Sequence, residues 1–414
     1  MRVAAAMLVA LWFAPSALAW TPISPSPLQN IDRPAVLRTS AGTELVTWDD
    51  SSSTLWLWSS KGGARPIEPV PFVNQPQIVQ QPSGAIQIYS GSGAGVVRYQ
   101  STDDGATWTG PFAIVSPTTT GPVVSATVRS DGTPMFTQDS TFGIDVFQGL
   151  NGEQSHQVFS DCCGYAESLA VDSANYAQIA FWSNATAFPN EFVYEGLDAG
   201  GAQAGPGRAF GAPQTVSRND SVPLVADGSG NTFMGWAGGY PSATAFAVNA
   251  FQGGNLGYST VVAGGTFGGG DPHMGLSVDP ANRLWAVWSQ GSSVHARRSR
   301  SAARHFGAPS AAGLAEATVS QLAALALSNG SVDAFINDGH EISHQVLLPG
   351  LAVTATKAAA TVLDDGFGVK AKLKGGGHTV TTSAAGKAKL VVFKRGTRIT
   401  VTAAGYAPAS FRRP

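Results

Sequence analysis

Along most of the chain apolar and polar positions alternate over short stretches, and Gly, Asp or Asn turns cut these stretches apart. One unit recurs: an apolar strand, a turn, then a second strand ending in an aromatic residue followed by small polar ones. Its copies open at Pro34, Pro76, Pro122, Ala166, Val222, Pro272 and Ser320. Aligned on the turn, one column reads Trp48, Tyr89, Gln138, Trp182, Trp236, Trp288, Ile336, and the next reads Asp49, Ser90, Asp139, Ser183, Ala237, Ser289, Asn337. Each copy runs on into further strand-like stretches, so about 45 residues carry four short strands, the content of one propeller blade. The pattern predicts an all-β fold with a seven-bladed β-propeller over 20–349, six blades being the alternative. The last copy is one strand short, and the segment Trp20 to Leu28 is placed to supply it. A residue at one fixed place in every blade most simply fills the wedge between neighbouring sheets. The tryptophan column is therefore expected inside the fold rather than stacked on a sugar.

After Pro349-Gly350 the composition shifts to Ala, Thr, Val and Lys, and alternating strands are cut by turns at Asp364-Asp365-Gly366, Gly375-Gly376-Gly377 and Arg395-Gly396. This segment, 350–414, reads as a small β-sandwich. Charge divides at the same place. Residues 20–350 hold 25 acidic against 13 basic side chains, whereas 351–414 hold 2 acidic against 11 basic. Lys370, Lys372 and Lys374 alternate on one strand. Two expectations follow: the basic segment seeks a polyanionic surface, or it folds against an acidic face of its own propeller.

At the other end, Arg2, the apolar run Val3 to Phe13 and Ala17-Leu18-Ala19 read as a secretory signal over 1–19, leaving Trp20 as the first mature residue. The run is too short to span a bilayer, and no later one is long enough. The expected location is extracellular or cell-envelope associated. In that setting the only two cysteines, Cys162 and Cys163, have three readings: a vicinal disulfide stiffening a turn, two unpaired thiols, or a ring that stacks on a ligand.

Candidate chemistry is sparse. Ser101, Asp103, Gly105, Thr107 and Trp108 fit the pattern S-x-D-x-G-x-T-W, in which a carboxylate accepts turn amides and a glycine takes positive φ. On this motif the chain resembles the sialidase-like BNR/Asp-box propellers. The resemblance implies a structural turn between the third and fourth strands of a blade, far from any catalytic face. Sialidases of that kind also use an arginine triad, an acid/base Asp and a Tyr–Glu nucleophile pair. Here the arginine triad does not assemble by motif, and no tyrosine occurs between Tyr258 and Tyr406. The stretch 350–414 resembles carboxypeptidase-regulatory-like and bacterial Ig-like modules through Thr381-Thr382 with Gly386 and through Thr400-Val401 with Gly405-Tyr406. Such modules imply stalks or surface adhesins.

Residues 340–344 spell H-E-x-x-H, with His340 and His344 as candidate metal ligands. The alternation from His340 to Leu348 instead predicts a strand with Ile342, Val346 and Leu348 on one side. The cluster Arg297, Arg298, Arg300, Arg304 with His295 and His305 reads as a solvated outer strand, with an anion site as the alternative. No phosphate or dinucleotide loop sits in a strand–turn–helix context, so no cofactor and no nucleic acid are implied. The function expected is a non-catalytic secreted or cell-surface protein that binds a glycan, a protein or a cell-envelope polyanion. The alternative is a glycoside hydrolase of sialidase-like architecture with an atypical site.

Overall fold

The computed structural model describes residues 20–414 except 26–33, 51, 53, 70–73, 93–94, 115–122, 141–142, 161–163, 187, 206, 211–221, 239–242, 266, 268–272, 315–318 and 340. The proposed signal, both cysteines and His340 lie outside the described residues. The described chain is all-β, with no helix.

Seven four-stranded antiparallel sheets follow one another along the described residues, spanning 35–69, 74–114, 123–159, 164–210, 224–264, 274–313 and 321–347. The last is completed from the N-terminus: Thr21 pairs with His344 and Pro22 with Ser343, and the Ile23 amide donates to the Ile342 carbonyl at 2.8 Å. This is the strand that the final repeat lacks. The first strands of successive sheets pack against one another in sequence order, and that of the seventh packs back on that of the first. A closed ring of such sheets is consistent with a β-propeller.

The repeat has a local cause. In each sheet the first hairpin closes through one tight turn, whose fourth residue donates its amide to the carbonyl of the first. The pairs are Gly42 to Thr39, Gly84 to Gln81, Gly132 to Arg129, Asn175 to Asp172, Gly230 to Asp227, Asn282 to Asp279 and Gly330 to Leu327. All seven donors have positive φ, which is why only glycine and asparagine occupy the position. Most neighbouring turns also bond to each other. Ser40 N donates to Gln80 Oε1 at 2.7 Å, Ser130 N to Asn175 Oδ1 at 2.9 Å, and Gly228 N to Asn282 Oδ1 at 3.0 Å. Across the seam Arg38 Nη2 donates to Ser328 Oγ at 2.8 Å. The turns thus form a ring around one end of the axis.

Between sheets the aromatic column fills the wedges, as expected. Trp48, Tyr89, Trp182 and Trp288 are buried and Trp236 is half-buried. Trp48 packs with Phe335 and Leu325 of the seventh sheet, and Tyr89 stacks on Phe136 of the third at 4.9 Å. Burying a ring of this size is a large apolar contribution in the five sheets where the column is aromatic; Gln138 and Ile336 hold the place in the third and seventh.

Residues 350–414 form two further four-stranded sheets. One joins Ala352–Ala355, Ala359–Asp364, Phe367–Gly368 and Lys387–Lys389; the other joins His378–Thr381, Lys372–Gly375, Arg398–Thr402 and Ala409–Arg412. Together they enclose their own apolar cluster around Val362, Leu373, Leu390, Phe393, Ile399, Val401 and Phe411.

Candidate functional sites

The end of the ring opposite the seven turns carries the irregular backbone. The first strands of the second, third and fourth sheets each shift register where they enter, between Asn74 and Gln77, Val123 and Ser125, and Tyr165 and Ser168. Gln75 and Ala166 there hold φ of +48° and +61°, conformations that cost a side-chain-bearing residue and that concentrate at functional sites. The bulge at Ala166 turns its carbonyl toward the next sheet, where the Val222 amide donates to it at 2.7 Å. Beside it Glu167 is fully buried, and Gln138 in the third sheet is equally buried. A carboxylate and an amide kept out of water at the entry of one sector make this the best described candidate for a ligand mouth. In the sequence Glu167 carries one signal, a charged residue inside an otherwise apolar strand, and was not among the expected site residues.

The turn at 101–108 lies between the third and fourth strands of the second sheet, Gly95–Ser101 and Thr109–Ile114. Asp103 Oδ1 accepts from the Thr107 amide at 2.8 Å and Oδ2 from the Thr107 hydroxyl at 2.6 Å. These bonds hold the Asp103 carboxyl at about 2. Ser101 Oγ accepts from the Gly105 amide at 3.0 Å, and Trp108 Nε1 donates to the Gly105 carbonyl at 3.2 Å. Gly105 has φ +83°, and a Cβ there would sit 3.1 Å from the Leu45 side chain. The turn is fastened to the preceding sheet, since Lys61 Nζ lies 2.8 Å from Asp104 Oδ2 and Thr43 and Arg65 also donate into it.

A second turn repeats this geometry in the sixth sheet, over Ser299 to Phe306. Ser299 Oγ accepts from the Ala303 amide at 2.9 Å, Ser301 Oγ accepts from the His305 amide at 3.1 Å, and Ala303 stands at φ +66° where Gly105 stands in the first turn. It too is fastened to the preceding sheet: Tyr258 donates to the Ala302 carbonyl, and Arg304 lies 4.7 Å over the Tyr258 ring. What this turn lacks is the carboxylate, because Ser301 occupies the Asp103 position. Asp365 of the C-terminal segment supplies one. Its Oδ2 accepts from Ser301 Oγ at 3.0 Å and from the Arg300 amide at 2.6 Å.

The same corner corrects the sequence reading of the arginine cluster. Arg298 is buried, not solvated. Its Nη2 lies 2.5 Å from Asp364 Oδ2, its Nη1 donates to the Gly330 carbonyl at 2.6 Å, and Tyr406 donates to the same carboxylate at 3.2 Å. Arg300 lies 4.3 Å over the Phe367 ring. Both acidic residues of 351–414 are thus spent here, against arginines. The expected pairing of a basic segment with an acidic propeller face is reversed at this contact.

The consequence is a one-signed remainder. On the sheet holding Lys372–Gly375, Lys372 lies opposite Thr381 and Thr402, Lys374 opposite Thr379 and Thr400, Arg398 opposite Arg412, and Thr400 opposite Ser410. Residues directly opposite share a face, so this face is built of Lys, Arg, Thr and Ser. Lys370, Lys387 and Lys389 are also exposed.

His344 lies at the seam between the last and first sheets. Its Nδ1 is 2.8 Å from Asp333 Oδ2, and its ring stacks on Phe335 at 5.6 Å and tilts on Trp58 at 5.3 Å. Burial alone would lower its pKa, but the hydrogen bond and charge of Asp333 and the charge of Glu44 raise it. Glu44 is raised in turn, by burial and then by Asp333. Among the described residues no three His, Cys, Asp or Glu side chains gather as a metal site would require. The strand is as expected, but its apolar side is not: Val346 and Leu348 are exposed while Leu347 is buried, because neighbouring sheets cover both faces near Ile342 and only one beyond.

No helix among the described residues is long and apolar enough to cross a membrane. No family model and no curated protein matches the chain. Among solved structures it is similar to virginiamycin B lyase from Staphylococcus aureus, with TM-score 0.49, 10% identity, and 78% of this chain and 97% of that chain covered. It is also similar to a leech intramolecular trans-sialidase at TM-score 0.49 and 10% identity, covering 77% of this chain and 68% of that one. A fungal alcohol oxidase of the AA5 family, in complex with copper, gives TM-score 0.49 and 11% identity over 95% of this chain and 99% of that one.

Proposed function

We propose that the chain is an exported, non-catalytic binding protein. Residues 1–19 are its signal peptide, and 20–349 a seven-bladed propeller of the sialidase-like Asp-box kind that holds a glycan or protein at its mouth. Residues 350–414 are an Ig-like β-sandwich that attaches it to an anionic surface. The observation that carries the attachment is the burial of Asp364 and Asp365 against the propeller, which leaves the remaining surface of 350–414 positive. Cations arrayed without intervening acids raise the local concentration of a polyanion. The turn geometry at Ser101, Asp103, Gly105, Thr107 and Trp108 supports the Asp-box reading, and its fastening to the preceding sheet gives it a structural role.

Glu167, buried beside the left-handed Ala166 at the mouth, favours one second reading: a glycoside hydrolase with an atypical carboxylate. A broad glycan panel followed by mass spectrometry separates the two. Retained, intact glycan is the expected result. Released sugar, abolished in Glu167→Gln, would replace the binding reading with the hydrolytic one.

A further inference from the structure

The strand Ala359–Asp364 gives the C-terminal segment a direction. Its last residue is buried against Arg298, and its first lies about 17 Å away at a rise near 3.3 Å per residue. At that far end Ala359 pairs with Lys389, and the Leu390 amide donates to the Ala358 carbonyl at 2.7 Å. Next come Val391 and Val392, which are 65% and 45% exposed, although Leu390 and Phe393 on either side are buried. Two buried anchors therefore hold a pair of valines out into solvent.

Cations surround that pair. Lys389, Lys394 and Arg395 flank it in sequence and are exposed. Arg413 Nη2 donates to the Lys357 carbonyl at 2.9 Å, which sets both beside Ala358, and Arg412 Nη1 donates to the Gly396 carbonyl at 3.2 Å. The two acids of 351–414, Asp364 and Asp365, lie at the opposite end of that strand.

We propose that the Val391–Val392 tip is a lipid-contacting element, seated in the headgroup layer of an anionic bilayer with the surrounding Lys and Arg on lipid phosphates. The inference rests on the surface-attachment reading and names its partner. A hydrated polyanionic glycan would answer the charges but offers nothing to two exposed valines. An anionic bilayer answers both, because apolar side chains gain by leaving water at its boundary and each nearby cation adds to the attraction.

The test uses the full chain with three probes: vesicles of phosphatidylcholine, vesicles of phosphatidylcholine mixed with phosphatidylglycerol, and a sulfated polysaccharide. Co-sedimentation with the mixed vesicles alone is expected between the two vesicle types. V391S/V392S should weaken it by roughly tenfold and leave polysaccharide binding and thermal unfolding unchanged. K394Q/R395Q should weaken vesicle binding by roughly tenfold or more. Vesicle binding that ignores the valine change, equal binding to both vesicle types, or binding to polysaccharide only would overturn the lipid inference while leaving attachment standing. Binding to none of the three would remove the attachment reading as well.

Discussion

Arg298 and Asp364 form an ion pair of 2.5 Å with side chains only 4% and 0% exposed, and it joins two parts of the chain 66 residues apart. Such a pair adds little over a well-packed apolar contact, yet losing one partner strands a charge in a dry site. The Arg298 guanidinium also lies 5.4 Å over the Tyr406 ring and 5.7 Å over that of Trp285, which completes its surroundings.

Asp364→Ala should therefore lower stability by about 3–5 kcal/mol, and Arg298→Met by a similar amount. The double variant Arg298→Met/Asp364→Leu should recover most of the loss. Urea unfolding measures the cycle, and limited proteolysis near Gly350 should become faster only in the single variants. Additive losses in the double variant would argue against a shared buried pair.

Asp365 accepts from the Ser301 hydroxyl and the Arg300 amide, while Ser301 Oγ itself takes the His305 amide. Ser301→Asp should set a second carboxylate beside that of Asp365, remove the hydroxyl that donates to it, and cost about 1–2 kcal/mol. Exchanging them, in Ser301→Asp/Asp365→Ser, should restore stability relative to Ser301→Asp alone. Thermal unfolding of the two variants decides this, and an unaffected Ser301→Asp would contradict the contact between Ser301 and Asp365.

Burial raises the Glu195 carboxyl to about 7, and Oε2 has no hydrogen-bond partner among the described residues. A raised folded-state pKa gives stability that is complete below the unfolded value and lost as pH climbs through the folded one. The protein should therefore weaken between about pH 4.5 and 7 by about 3 kcal/mol from this group. Glu195→Gln should remove that slope, raising the melting temperature at about pH 8 and changing little at about pH 4. An identical effect at both pH values would contradict the origin in ionisation.

His344 follows the same sign through a different cause. Held protonated by Asp333 and Glu44, it stabilises the seam below its unfolded value of 6.5, and the effect is lost as pH rises through its raised pKa. His344→Gln should cost about 1 kcal/mol at about pH 5 and less at about pH 9. NMR titration of the imidazole checks the direction independently; a midpoint below 6.5 would be the wrong sign.

What was legible in the sequence is what the chain encodes locally. The hairpin turns repeat a glycine or asparagine where φ must be positive, and the turn at 101–108 carries its hydrogen-bonding groups within eight residues, so both are readable without the fold. The completing strand at Thr21–Pro22 was readable from a deficit in the last repeat. The turn at Ser299 to Phe306 was not, because its geometry survives while Asp, Gly, Thr and Trp have become Ser, Ala, His and Phe. Nor was the role of the arginines. Their partners lie some sixty residues on, and a charge cluster interleaved with Ser and Ala reads as solvated until a distant segment is seen to cover it. Glu167 was missed for the same reason: only the ring of sheets buries it.

The most direct test of surface attachment is retention of the full chain on a sulfated polysaccharide matrix under a rising salt gradient. The cationic face predicts binding at low ionic strength and release as screening shortens to about 8 Å and below, with Lys372→Gln/Lys374→Gln/Arg398→Gln eluting earlier. Retention that salt does not weaken, or passage without retention at low salt both here and over vesicles containing phosphatidylglycerol, would contradict it.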